Sequence, residues 1–229
     1  MLTKASVQVL QSITAITNSV LIEYPITTIR NESGGVIGTI NFSVLDEEFE
    51  EFGIFDLSSF LGALDVLDEP VVTLNAGIIT AKDTNSSISF VTSSAASLEE
   101  FTDDPRKVTS SVDSDSVVDV DIDTDLMSKI RKGTSIFKSL KDIRLVNKDG
   151  VFSLSTANIT SFSHQENSYS ITLEETSKNT NLDFDIAIPI NNFLSLPNMN
   201  FTMSIKEKQG KFRVVLYNEI FSFVLPLIP

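Results

Sequence analysis

Cysteine is absent from all 229 residues, which excludes disulfides, thiolate catalysis and cysteine-type zinc sites together. The single histidine, His164, sits in the polar stretch Ser163-His164-Gln165-Glu166-Asn167. One imidazole without cysteine cannot make an ordinary zinc cluster. No stretch approaches the ~20 uninterrupted apolar residues of a membrane-spanning helix. The opening Met1-Leu2-Thr3-Lys4 runs into a segment broken by Ser6, Gln8, Gln11, Ser12 and Thr14, a poor match to a secretory signal. Gly-x-x-x-x-Gly-Lys-Ser/Thr and Gly-x-Gly-x-x-Gly loops are missing, and no Gly-x-Ser-x-Gly elbow frames a nucleophile. The expectation is a cytoplasmic, non-enzymatic chain with no catalytic residue, metal, cofactor or membrane contact.

Cations are scarce. There are 17 Lys and Arg against 31 Asp and Glu, a net charge of −14, which argues naively against nucleic acid. Placement matters more than the sum. No Lys or Arg occurs between Asn31 and Ala81, where Asp46, Glu47, Glu48, Glu50 and Glu51 cluster. Acids dominate again from Glu99 to Asp125. From Leu126 to Lys148 the sign reverses, with Lys129, Arg131, Lys132, Lys138, Lys141, Arg144 and Lys148 against Asp142 alone. The pattern describes an acidic protein with one basic face.

What is present is enough apolar content, 41%, for packed cores, and a length that allows two domains of about 110 residues. Val9, Leu10, Ile13 and Ile16 mark an amphipathic helix over Ala5–Thr17. Strands are expected over Ser19–Ile29 and Val36–Val44, then a short helix at Leu57–Leu61 with Asp56 or Ser58 as its cap. Three more follow at Val71–Leu74, Ile78–Ala81 and Ile88–Thr92. The Ser-, Thr- and acid-rich stretch from Ser93 to Ser116 reads as a linker.

After it the order repeats: a strand at Val117–Ile122, a helix from Asp125 to Phe137, and a hairpin around Asn147-Lys148-Asp149-Gly150. Strands are then expected near Ile159–Ser163 and Tyr169–Leu173. Ile188-Pro189-Ile190-Asn191-Asn192-Phe193-Leu194 follows, and last come strands at Phe201–Ile205, Phe212–Leu216 and Phe221–Leu225. That motif repeats the pattern of Phe55-Asp56-Leu57-Ser58-Ser59-Phe60-Leu61, and each half opens on an amphipathic helix. The chain reads as an internal duplication, with domains at 1–95 and 117–229 and a linker at 96–116.

Several segments carry a family resemblance: Leu2-Thr3-Lys4 with Asn18-Ser19, Ile54 to Gly62, Asp125-Leu126 with Arg131, and Lys208-Gln209-Gly210. In this order the chain resembles the DNA sliding clamps, and among them the T4-type bacteriophage polymerase clamps. The linker is more acidic than that pattern, and Gln11 stands where a basic residue belongs on the first helix. The resemblance implies an α+β DNA clamp fold: two similar domains, each with two helices packed on β-sheets, closing head to tail as a homotrimeric ring. It implies encirclement of double-stranded DNA without sequence preference, with a DNA polymerase and an ATP-driven clamp loader as partners. The setting would be the cytoplasm of an infected bacterium.

On the second-half helix, Leu126, Ile130 and Phe137 fall within about 60° of one another at 100° per residue, and Lys132 lies nearly opposite. Lys129, Arg131 and Lys132 are therefore the main candidates to face DNA, joined by Lys138 and Lys141 near the helix end and by Lys4 from the first half. For a partner-peptide pocket near the linker the candidates are Leu98, Phe101, Phe223 and Leu225. Asp119, Asp121, Asp123 and Asp125 invite a calcium reading, but the loop would need Gly and Glu where Thr124 and Ile130 stand. The competing reading of the whole chain is a β-rich phage virion structural protein, from which the two matching helices distinguish it.

Overall fold

The structure, a computed structural model, describes residues 2–98, 104–136, 139–158, 168–173 and 176–228. It divides into two units, Met1–Val108 with Glu219–Phe221 and Thr109–Asn218 with Ser222–Pro229.

The first unit opens with α1 (Lys4–Ser12), whose start is fixed by Thr3 accepting the Ser6 amide at 3.2 Å. Buried Asp46 reinforces that end, taking the Thr3 amide at 3.0 Å and the Ser6 hydroxyl at 2.5 Å. A carboxylate there also complements the helix dipole. Ser6, Val9 and Leu10 are its buried side; the helix stops at Ser12, short of the expected Thr17, and Ile13 and Ile16 are buried in the turns that follow.

The long strand expected at Ser19–Ile29 is two strands, β1 (Val20–Ile22) and β2 (Ile26–Arg30), parted at Pro25, which has no N–H for a ladder. β3 (Ile37–Asn41) stops where the Asn41 side chain accepts the Ser43 amide and starts a 3-10 turn. β2 pairs with β3, and β1 pairs with β4 (Phe52–Ile54), both antiparallel. α2 (Leu57–Leu64) is capped by Asp56 and buries Leu57, Phe60, Leu61 and Leu64. β5 (Val71–Asn75), β6 (Ile78–Lys82) and β7 (Ser87–Val91) complete the unit as a meander. The Phe60 ring meets Phe90 of β7 edge-on at 5.1 Å.

The segment expected as a linker is partly ordered onto the first unit. The Ser93 amide donates to the Gly53 carbonyl at 2.9 Å, and Leu98 is fully buried. Gly53 is what admits it, because a Cβ there would lie 2.5 Å from Leu98. A helix, α3 (Pro105–Val112), then stands where irregular chain was expected. Asp104 followed by Pro105 at the first helical position is its start signal, masked by the Ser, Thr and Asp content around it. The division between the units falls inside α3.

The second unit comprises β8 (Ser116–Ile122), α4 (Thr124–Ile136), β9 (Asp142–Lys148), β10 (Val151–Ala157), β11 (Ser170–Leu173), β12 (Lys178–Asn179), β13 (Phe184–Pro189), α5 (Ile190–Leu194), β14 (Phe201–Lys208), β15 (Lys211–Tyr217) and β16 (Phe221–Leu225). Strands run β11-β10-β9-β13 in one sheet and β12-β8-β14-β15-β16 in another. The β9–β10 turn has Asp149 and Gly150 at φ 52° and 78°, the left-handed pair a two-residue hairpin loop needs. β13 was not expected as a strand. The expected strand at Ile159–Ser163, the inward Phe137 and the His164 turn lie outside the described residues.

Both units use one device to seat their second helix. The Leu57 amide at the start of α2 donates to the Asn18 carbonyl at 2.7 Å, and the Ile190 amide at the start of α5 donates to the Lys141 carbonyl at 2.8 Å. In each, the strand after the first helix pairs antiparallel with the strand before the second, β1 with β4 and β9 with β13.

Candidate nucleic-acid interface

The buried side of α4 is Met127, Ile130, Gly133 and Thr134. This corrects the expected face, since Leu126 is only half-buried. Along the same face the chain packs closely at Gly133, where a Cβ would lie 2.1 Å from the Tyr169 ring. Opposite, Asp125, Lys129, Lys132 and Ile136 are exposed at i, i+4, i+7 and i+11, a single stripe along the helix. Lys129 and Lys132 thus stand on the free side, as the periodicity predicts.

Arg131 does not. Its guanidinium donates to the carbonyl oxygens of Leu194, at 2.9 Å, and Leu196, closing the end of α5 onto α4. Burial holds its pKa below the ordinary guanidinium value. Arg131 lies about 100° from Ile130 around the helix, on the flank that meets α5, so it is spent on capping carbonyls rather than offered to a ligand.

Lys141 is exposed, and its carbonyl is the acceptor for α5. Lys4 is exposed in the first turn of α1, where a cation opposes the helix dipole. The exposed side of α1 continues through Gln8 and Gln11, at the i, i+4, i+7 spacing of the α4 stripe but without its charge. Lys138 lies outside the described residues.

Charge segregates by element type. The five helices hold six cations, Lys4, Arg106, Lys107, Lys129, Arg131 and Lys132, and one acid, Asp125. The remaining acids, 30 of 31, lie outside these helices. Carboxylates come to the helices only from flanking residues: Asp56 and Asp123 cap α2 and α4, and Asp65 accepts the Gln11 side chain of α1 at 3.4 Å.

The alternating aspartates are structural acceptors. Asp119 takes the hydroxyls of Ser116, at 2.5 Å, and Ser204; Asp121 takes Thr202 at 2.9 Å; Asp123 caps α4 through the Leu126 amide at 2.7 Å. Among the described residues no group of His, Asp or Glu could hold a metal ion.

Leu98, Phe223 and Leu225 were expected at a peptide pocket. All three are buried, Leu98 in the first unit and the other two in the second. Phe223 packs against Phe201 at 6.0 Å. Strand alternation places Phe221, Phe223 and Leu225 together on the inner face of β16, so these side chains fill cores. Phe101 lies outside the described residues.

This architecture is the DNA clamp fold. Among solved structures, the chain is similar to a PCNA2–PCNA3 complex from Sulfolobus tokodaii (TM-score 0.67, 11% identity, covering 97% of this chain and 95% of that one). It is also similar to the A. fulgidus PCNA solved with the C-terminal region of FEN-1 (0.66, 9%, 97% and 94%). The Helicobacter pylori beta clamp bound to a DNA ligase peptide matches as well (0.62, 14%), with 97% of this chain covering 64% of that one. The chain therefore spans less than two thirds of the bacterial beta clamp and nearly all of a PCNA subunit. No protein-family model matches the sequence, and neither does any curated protein.

Proposed function

We propose that the chain is a sliding clamp that encircles duplex DNA and tethers a replicative DNA polymerase. The observation that carries the reading is the clamp fold, matched across 94–95% of PCNA chains, with helices almost free of acid. A ring held by topology needs only weak phosphate contacts from its lining, which reconciles DNA with a net charge of −14. Clamps close six domains into a ring, so a two-unit chain calls for three copies joined head to tail. Strands β7 and β11 each have one partner among the described strands and supply free edges for such joints.

The resemblance in sequence favours a T4-type bacteriophage clamp, opened by an ATP-driven loader in the cytoplasm of the infected host. Peptides of replication enzymes, of the kind bound by the H. pylori and A. fulgidus proteins, are its expected tails. The clamp itself performs no chemistry. Light scattering at micromolar concentration should show a trimer, and monomer alone at every concentration would rule out the closed ring. After loading, circular DNA should retain the protein and linear DNA should lose it; equal retention would contradict topological binding.

A further inference from the structure

The β14–β15 hairpin sets like charges opposite each other twice. Lys206 registers with Arg213, and Lys208 with Lys211. Side chains alternate along a strand, so these four cations share one face of the ribbon. Like charges directly opposite weaken a strand pair. The tight turn, with Gln209 and Gly210 at φ 56° and 77°, keeps the backbones that carry the two lysines paired right up to the loop. The fold retains an arrangement that its own stability disfavours.

At this hairpin lies a cleft of about 560 Å³, lined by all four cations together with Glu207 and bounded by Ser110 and Ser114. Lys206 is 7% exposed and donates to the carbonyls of Val112, at 3.0 Å, and Ser114, at 2.6 Å. Arg213 donates to the Ser111 hydroxyl at 2.9 Å. Every one of these acceptors is neutral. The ion pairs among the described residues are Arg106–Asp104 and Arg144–Asp185, so none of the four has a described carboxylate within 4.0 Å. Asp113, Asp115 and Asp119 act on Lys206 only at longer range. Acids outnumber bases 31 to 17 in this chain, yet four cations line one concavity against a single carboxylate, Glu207, which accepts the Gly210 amide and forms no ion pair with any of them.

We propose that this cleft docks an acidic segment of a partner protein, its Asp or Glu carboxylates facing Lys208, Lys211 and Arg213. Concavity selects a peptide over duplex DNA, which presents convex rows of phosphate and suits an open stripe such as that of α4. The volume lies within the ~300–1,000 Å³ of sites that enclose a small ligand or a few side chains. The proposal stands apart from the clamp reading, because the cleft belongs to the second unit alone and its charge does not depend on a ring.

The test is fluorescence anisotropy with a labelled ten-residue peptide of alternating Glu and Ser, against its Gln–Ser counterpart and an oligo-dT strand. The acidic peptide should bind and the neutral one should not. Lys211→Glu and Lys208→Glu, each made singly, should weaken binding about ten-fold at low salt, with melting temperature unchanged or raised because each converts a like-charge pair into an opposite one. Equal binding of the neutral peptide, or variants that bind the acidic peptide undiminished, would overturn the proposal. So would tighter binding of oligo-dT that is lost in the variants, which would make the cleft a nucleic-acid site. Self-association lost in the variants would assign it to the acidic loop of a second copy and overturn the proposal equally.

Discussion

The Ile190 amide donates to the Lys141 carbonyl at 2.8 Å, and this bond repeats between Leu57 and Asn18. It is the most direct structural sign of duplication, because the backbone makes it and the two sites share no side-chain chemistry. The first half adds what the second lacks. The Asn18 side chain accepts the Ser58 amide at 2.8 Å and its hydroxyl at 2.7 Å, and donates to Asp56 at 3.2 Å.

Asn18→Ala should therefore destabilise the first unit by about 1 kcal/mol, the net worth of a typical hydrogen bond. Urea unfolding is the check, and the loss should appear as a lower midpoint with an unchanged slope. An unaltered midpoint would mean that the Asn18 backbone carbonyl alone seats α2.

Elements with strong local signals were legible before any coordinates. Asp56 announces α2, Asp149-Gly150 announces the β9–β10 turn, and the apolar period of α1 matches its buried face. The errors come from tertiary causes. Met127 is buried on α4 while Leu126 is only half-buried, and Tyr169 closes on Gly133, a contact between residues far apart in sequence. Arg131 reads as one more surface cation until the carbonyls at the end of α5 claim it. Leu98, Phe223 and Leu225 read as exposable because linkers and terminal strands often are, whereas here they complete cores. Register was also invisible, and register is what makes the four cations of β14 and β15 a cluster.

Glu23 gives the chain a pH-dependent weakness. Burial, and secondarily the charge of Glu51, hold its pKa above the ordinary carboxylate value. Between the unfolded value, near 4.5, and the higher folded value, the native state binds more protons than the unfolded state. Stability from this group is thus present at low pH and lost as pH rises through the folded pKa. Glu23→Gln should be more stable than wild type at pH 7, and the difference should close below pH ~4.5. Denaturant midpoints at pH 7 and pH 4 measure it, and an equal gap at both would refute the assignment.

A free strand edge should betray itself by what disrupts assembly and not folding. Val91 ends β7 at 84% exposure, and its only described strand partner is Ile78 of β6. Val91→Lys should leave the melting temperature of the monomer within about a degree, since exposed substitutions are nearly neutral. The same change should raise the concentration for half-dissociation of the oligomer at least about ten-fold, because charge on an edge opposes strand pairing. Analytical ultracentrifugation across a dilution series reads the effect. Unchanged dissociation would remove β7 from the proposed joint.

The two kinds of cation on α4 should separate cleanly by experiment. Lys129 and Lys132 are exposed and carry no described ion pair, so Lys129→Glu combined with Lys132→Glu should spare folding. In a DNA-binding assay the pair should weaken retention and lower the salt slope by roughly one for each phosphate contact removed. Arg131→Ala should act the other way round. It strips the carbonyls of Leu194 and Leu196 of a charged donor, a loss of about 1.5–3 kcal/mol for hydrogen bonds to a charged group, and any DNA deficit should follow the unfolded fraction. If Arg131→Ala folded normally and still lost DNA, its side chain would have to leave α5 and reach the duplex. Arg131→Lys is the second control: it keeps the charge without the two-pronged reach to both carbonyls, so it should restore DNA retention only as far as it restores stability.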